Sequence, residues 1–273
     1  MEGMSKDKAG TAKRALITGA SAGIGEGFAR QMARQGYDLV LVARRKDRLD
    51  ALASELSSEH GISADALEAD LAGEHGLSLV EERLRSGEID VLVNNAGFGT
   101  VGEFAELPVD REVKELDVNV RALLRLTHAA LAAMVPRKRG AIINVASMAA
   151  FQPIPYNATY SASKAFVLHF SEAVHEEVKR HGVTVTCLCP GPVRTEFQQV
   201  AGLDASSMPA ITWMSVDAVV RSALSAMRGG RAITVPGTVN VAAVVGTRMA
   251  PRFLVRRIVA SMFRNRGAAT KAE

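Results

Sequence analysis

The sequence predicts an α/β protein in which a doubly wound parallel sheet carries helices on both faces. Three observations lead there. Short apolar runs alternate with amphipathic stretches from Arg14 to Val235, strand then helix, with no internal repeat. A glycine-rich turn, Thr18-Gly-Ala-Ser-Ala-Gly-Ile-Gly25, joins the first apolar run to the first helical pattern. Several runs end in small or polar residues, where open α/β sheets gather their ligands. At 273 residues the chain suits one main domain, expected over 13–236, with a polar leader over 1–12 read as disordered and a basic extension over 237–273.

Arg14 to Thr18 is the first strand. Gly19 allows the tight turn after it. Gly23 and Gly25 let the backbone approach a pyrophosphate at the start of a helix over Ile24 to Gln35, with Ser21, Ala22 and Ile24 in the same turn. The spacing Gly-x-x-x-Gly-x-Gly departs from Gly-x-Gly-x-x-Gly, and a glycine turn without ligand is the bland alternative.

Asp38 to Ala43 is the second strand, and Arg44-Arg45 follow it. A dinucleotide site expects an acid about 20 residues past the glycine turn for NAD, or an arginine for the 2′-phosphate of NADP. Arg44 lies 19 residues after Gly25 and no acid ends the strand. NADP is therefore expected, with NAD second. An exposed basic pair at the head of the next helix would explain the same residues.

Lys46 to His60 is an amphipathic helix, Ala64 to Asp70 a strand ending at Leu71, and Glu74 to Arg85 a helix. Asp90 to Val93 is a strand ending in Asn94-Asn95-Ala96-Gly97, small enough to admit a flat ring. Pro108 to Pro136 is a long helix carrying Asn119, which needs partners if buried. Ala141 to Ala146 is the fifth strand, Gly182 to Leu188 the sixth and Ala232 to Val235 the seventh, with a helix over Met214 to Met227 before the last. The sixth runs into Cys189-Pro190-Gly191-Pro192-Val193-Arg194-Thr195, a rigid loop able to cover a nicotinamide.

The chemistry is expected between Ser147 and Lys164. Tyr160 and Lys164 are four apart, one turn apart on a single helix face. A phenol has a reference pKa near 10, and a neighbouring ammonium favours its phenolate. Ser147, at a strand end, would hydrogen-bond the reacting oxygen. Alone, Tyr-x-x-x-Lys is equally a solvated helix face; its surroundings lift it.

Composition excludes other classes. Cys187 and Cys189 sit in an apolar run and are expected buried rather than disulfide-bonded. The six histidines have no ligand spacing, so no metal is expected. No apolar signal core or membrane-length run is apparent, which makes a cytoplasmic protein the default. Charge is uneven: residues 218–272 carry ten Lys/Arg and no Asp or Glu.

Taken in order, Thr18-Gly-x-x-x-Gly-Ile-Gly25, Asp70-Leu71, Asn94-Asn-Ala-Gly97, Asn119, Ser147, Tyr160-x-x-x-Lys164 and Pro190-Gly191 resemble the short-chain dehydrogenase/reductase superfamily, over roughly Arg14 to Pro236. The resemblance implies a Rossmann-like seven-stranded sheet and hydride transfer between nicotinamide and a carbonyl or alcohol carbon. It implies Tyr160 as general acid/base, Lys164 lowering its pKa and binding the nicotinamide ribose, Ser147 orienting the substrate oxygen, and Asn119 holding a relay water. It places Asp70 near adenine, Asn95 near ribose and Thr195 near the carboxamide. It also implies a homodimer or homotetramer, with the helices around Asn119 and Tyr160 at the interface.

The expected substrate is a hydrophobic ketone or aldehyde, for instance a long-chain 3-oxoacyl or steroid-like compound. The loops that would line its pocket offer Phe98, Val101, Phe151, Ile154, Phe197, Val200, Leu203, Met208 and Trp213. An NAD-linked alcohol dehydrogenase and a non-catalytic nucleotide-binding regulator are the alternatives. Pro251 starts a basic amphipathic C-terminal helix over 251–266. It would pack on the substrate lid or a dimer mate, or touch a membrane surface; nucleic acid is not expected, since no reading motif accompanies the charge.

Overall fold

A computed structural model describes residues 13–202 and 210–263. The expected leader over 1–12, Leu203 and Met208, and the chain beyond Phe263 lie outside the described residues.

Seven parallel strands form one sheet in the order β3-β2-β1-β4-β5-β6-β7. They are β1 (Arg14–Thr18), β2 (Asp38–Ala43), β3 (Ala64–Glu68), β4 (Val91–Asn94), β5 (Gly140–Val145), β6 (Val183–Leu188) and β7 (Ile233–Thr234). Register runs straight across the middle: Ile17 pairs with Leu41 on one side and Val93 on the other, and Val93 with Ile143. Order reverses at β1, which leaves a crevice beyond the carboxyl ends of β1 and β4.

The helices are α1 (Gly23–Ala33), α2 (Lys46–His60), α3 (Glu74–Arg85), α4 (Val109–Leu116), α5 (Leu123–Arg137), α6 (Ala158–Lys179), α7 (Phe197–Ala201), α8 (Val216–Arg228), α9 (Thr238–Met249) and α10 (Arg252–Phe263). Side-chain alternation along the strands divides the core. Ile17, Leu41, Val93 and Ile143 pack with Phe28, Leu49 and Val220 from α1, α2 and α8. Their neighbours Leu16, Val40, Leu92 and Ile142 pack with Val80, Leu126 and Val174 from α3, α5 and α6. Each fully buried Leu or Ile contributes about 1.5–3 kcal/mol, so register is fixed on both faces.

The long helix expected from Pro108 is not uniform. A π-helical turn over Asp117–Ala122 separates α4 from α5 and contains Asn119. The whole run over 109–137 is long and apolar enough to cross a membrane by length and composition, but α5 spends Leu126, Ala129 and Met134 on the core. Cys187 and Cys189 are free and buried, their Sγ atoms 3.7 Å apart. The sequence reading had no helix at α9.

Candidate active site

A cleft of about 550 Å³ opens at the carboxyl ends of the central strands. Gly19, Ser21, Ala22, Gly23 and Ile24 line it from the glycine turn, Arg44 and Arg45 from the end of β2, Asp70 and Leu71 from after β3, and Asn95, Ala96 and Gly97 from after β4. Ser147, Tyr160, Lys164, Pro190, Gly191, Val193 and Thr195 line its inner end. Among the expected site residues only Gly25 and Asn119 stand behind the wall.

At Gly25 the chain packs closely on itself. A Cβ there would lie 2.2 Å from the Gly19 carbonyl oxygen and 2.5 Å from Asn95 Nδ2. Its missing side chain lets α1 close on the turn. Gly19 adopts φ +67°, which an L side chain resists. Asn95 Nδ2 donates to the carbonyls of Thr18 at 2.9 Å and Gly19 at 3.3 Å. Both amide hydrogens are thus spent on holding the turn, and only Oδ1 is left for a ribose. Ala22, at the cap position of α1, offers no side-chain cap, so the first N–H groups of that helix remain available to an anion.

Arg45 is already engaged. Its Nε and Nη2 donate to Ser21 Oγ at 3.1 and 3.0 Å, and its Nη1 to Glu196 Oε2 at 2.7 Å. Arg48 Nη1 donates to the other oxygen of Glu196 at 2.6 Å. Arg44 is exposed and makes no hydrogen bond or ion pair among the described residues. The Arg48–Glu196 link spans 148 residues and left no local signal in the sequence. Asp70 accepts from Ala72 N at 3.1 Å and lies 3.5 Å from Lys114, another lining residue the sequence reading missed.

At the inner end, Ser147 caps a 3-10 turn over Met148–Phe151, its Oγ accepting from Ala149 N at 3.1 Å. Lys164 is buried and donates from Nζ to the Val145 carbonyl at 2.9 Å. Its Nζ is 5.6 Å from the centre of the Tyr160 ring. Burial pushes the Tyr160 hydroxyl up to about 12; a hydrogen bond with Ser147 pulls it down, and the charge of Glu115 adds to the rise. Burial pulls the Lys164 ammonium down to about 8. Burial thus disfavours the charged form of both groups.

Asn119 is buried, not solvated. Its Oδ1 accepts from Phe98 N at 3.1 Å, and its Nδ2 donates to the Phe98 carbonyl at 2.9 Å and to Ser163 Oγ at 3.1 Å. The side chain clamps the Phe98 segment, and both amide hydrogens are committed. Thr195 Oγ1 accepts from Phe197 N at 3.2 Å. Phe98, Ile154, Phe197 and Val200 form apolar wall, with Phe197 5.4 Å from the Tyr160 ring. Val101 is buried, Phe151 lies under Arg248 and Trp213 under Arg194, so these three are not wall residues as expected.

The sequence profile described as short chain dehydrogenase matches residues 13–205. The chain belongs to the short-chain dehydrogenase family. A short-chain dehydrogenase from Sphingobium yanoikuyae, solved in complex with NADPH, is 38% identical, with a TM-score of 0.80 over 86% of this chain and 93% of that one. The bulky-bulky ketone specific alcohol dehydrogenase of Comamonas testosteroni is 33% identical, with a TM-score of 0.76 over 88% and 93% of the two chains. Among curated relatives, the very-long-chain 3-oxoacyl-CoA reductase of Bos taurus is 35% identical over 68% of this chain and 61% of its own. The chain spans about three fifths of the length of the first curated relatives it matches.

Proposed function

We propose that this short-chain dehydrogenase is an NADPH-dependent reductase of hydrophobic ketones or aldehydes. The observation that carries the reading is the inner end of the cleft, where Ser147, Tyr160 and Lys164 meet a wall of Phe98, Ile154, Phe197 and Val200. The relatives named for very-long-chain 3-oxoacyl-CoA and for bulky ketones support an apolar substrate of this kind.

A dinucleotide suits the residues present. The uncapped start of α1 favours a pyrophosphate, and Arg44, with no partner among the described residues, favours a 2′-phosphate. NADPH in the Sphingobium yanoikuyae structure points the same way. Such a nucleotide, when bound, supplies the hydride. The protein supplies the proton. A phenol held near 12 stays protonated at neutral pH, which suits Tyr160 to donate to a carbonyl oxygen as that oxygen gains charge. Ser147, hydrogen-bonded to Tyr160, orients the same oxygen. Lys164 stands fixed on the Val145 carbonyl, and its charge opposes the phenolate's desolvation as the proton leaves.

A homodimer completes the reading. Val109, Val113 and Leu116 on α4, Leu124 on α5 and Phe166 on α6 are exposed. Such neighbouring apolar side chains favour a second copy over water.

The test is NADPH consumption by the pure protein against carbonyls graded by chain length and ring size, with Tyr160→Phe alongside. Turnover that rises with apolar size and is lost in the variant is expected. Equal turnover by the variant would overturn the assignment of Tyr160.

A further inference from the structure

Helices α9 and α10 form the roof at the substrate end of the cleft. Val255 and Val259 of α10 bury against Ala149 and Ile154, beside Tyr160. Helix α9 is anchored by buried Asn240 and Val244, and Arg248 stacks over Phe151 at 5.0 Å. The inward faces of both helices are therefore accounted for.

Their outward faces are not. Val241, Val245 and Met249 recur every fourth residue on α9 and are exposed, Met249 at 82%. Phe253, Leu254 and Ile258 on α10 are exposed at 55%, 43% and 57%. Isolated apolar residues on a surface need no explanation, but six large ones on two consecutive helices do.

The charge among them is of one sign. Arg252, Arg256 and Arg257 are all exposed, and none forms an ion pair among the described residues. Several arginines elsewhere are neutralised: Arg30 by Glu26 and Glu55, Arg83 by Asp65 and Glu88, Arg125 by Glu74 and Glu81. No acid lies between 218 and 272 to neutralise the three.

We propose that the outer face of α9 and α10 docks on an anionic lipid bilayer, with its apolar side chains in the acyl boundary and its arginines at the headgroups. An interfacial helix buries its apolar face at that depth and gains from basic residues beside it. The same charge argues against a second copy as occupant. A two-fold pairing sets a patch against itself, which would oppose six arginines with no acid on either side.

The docking does not depend on the reductase reading, but it bears on it. The roof's underside touches Ala149 and Ile154, both of which line the cleft. A bilayer against the outer side of the roof would thus hold an apolar carbonyl close to the pocket that accepts it.

The experiment is co-sedimentation of the full chain with phosphatidylcholine vesicles, with and without phosphatidylglycerol, at low and high salt. Arg256→Glu/Arg257→Glu and Leu254→Asp/Ile258→Asp are measured beside it, with thermal melts to confirm that these exposed substitutions leave the fold intact. Binding is expected only with phosphatidylglycerol, and it should weaken with salt. Each arginine near an anionic leaflet strengthens binding by about fivefold, so losing two weakens it by at least about 25-fold. The aspartate pair should abolish it. Absence of binding to phosphatidylglycerol vesicles at low salt would overturn the proposal, as would undiminished binding by both folded variants. Gel filtration that shows a larger assembly in the wild type, lost in Leu254→Asp/Ile258→Asp, with no vesicle binding, would assign the face to a second copy instead. Tyr160→Phe should bind vesicles like the wild type, which separates this result from failure of the reductase reading.

Discussion

The Thr100 hydroxyl donates to Glu115 Oε2 at 3.0 Å, and both residues are buried. Thr100 has one hydroxyl hydrogen, and Glu112 Oε1 lies 2.5 Å from the same oxygen. Thr159 donates its own hydroxyl to the other oxygen of Glu112. Two buried carboxyl groups thus crowd around one threonine hydroxyl. Burial pushes Glu115 up to about 7, and the charge of Glu112 adds to the rise.

That rise makes stability depend on pH in an unusual direction for a carboxyl group. Between about 4.3, the unfolded value, and 7 the folded chain keeps a proton that the unfolded chain has lost. Stability therefore falls as pH rises through that window, by up to about 1.4 kcal/mol per pH unit. Glu115→Gln should flatten this part of the curve. Urea unfolding of both proteins at a series of pH values measures it; parallel curves would refute the upward shift of Glu115.

Lys164 sets an alkaline limit. With its ammonium pulled down to about 8, the charge that opposes phenolate desolvation disappears as pH rises past that value. Reductase turnover should fall on that limb. Lys164→Met should be slow at every pH and lack the limb, which a pH–rate profile of both proteins would reveal.

Arg44→Ala should discriminate between nucleotides. One charge-assisted hydrogen bond is worth about 1.5–3 kcal/mol, so KM for NADPH should rise roughly 10- to 100-fold while that for NADH stays level. Arg45→Ala should act on both, because its partners Ser21 and Glu196 hold the loops that border the cleft. Steady-state kinetics with each nucleotide separates the two arginines.

Gly25→Ala should cost more than its one methyl suggests. The new carbon meets backbone at 2.2 Å, and overpacking of this kind typically costs about 1–3 kcal/mol or more. A lowered melting temperature together with weakened nucleotide binding is expected, since α1 and the turn must part to admit it.

Local rules made much of this legible. The strands announced themselves through runs such as Asp38 to Ala43, and the cleft through residues at strand ends. Tyr160 and Lys164 declared a shared face by spacing alone. What stayed hidden depended on distant partners or weak periodicity. The stretch Thr238–Met249 is rich in valine and alanine and contains Gly246, so no polar face marked it as a helix. Asn119 was recognisable as a residue needing partners, but its choice of Phe98 and Ser163 is set by how the π-helical turn meets α6. Nothing near Glu112 or Glu115 distinguishes them from ordinary helix-surface acids until Thr100 and Thr159 are brought over them.

The bridge from Arg45 and Arg48 to Glu196 ties the segment after β6 to the start of α2 by charge alone. If a nucleotide binds beneath such a fastening, its dwell time should depend on ions in the medium as well as on its own contacts. Added salt should therefore quicken exchange without changing which nucleotide is preferred, and Glu196→Gln should make exchange fast already in dilute buffer.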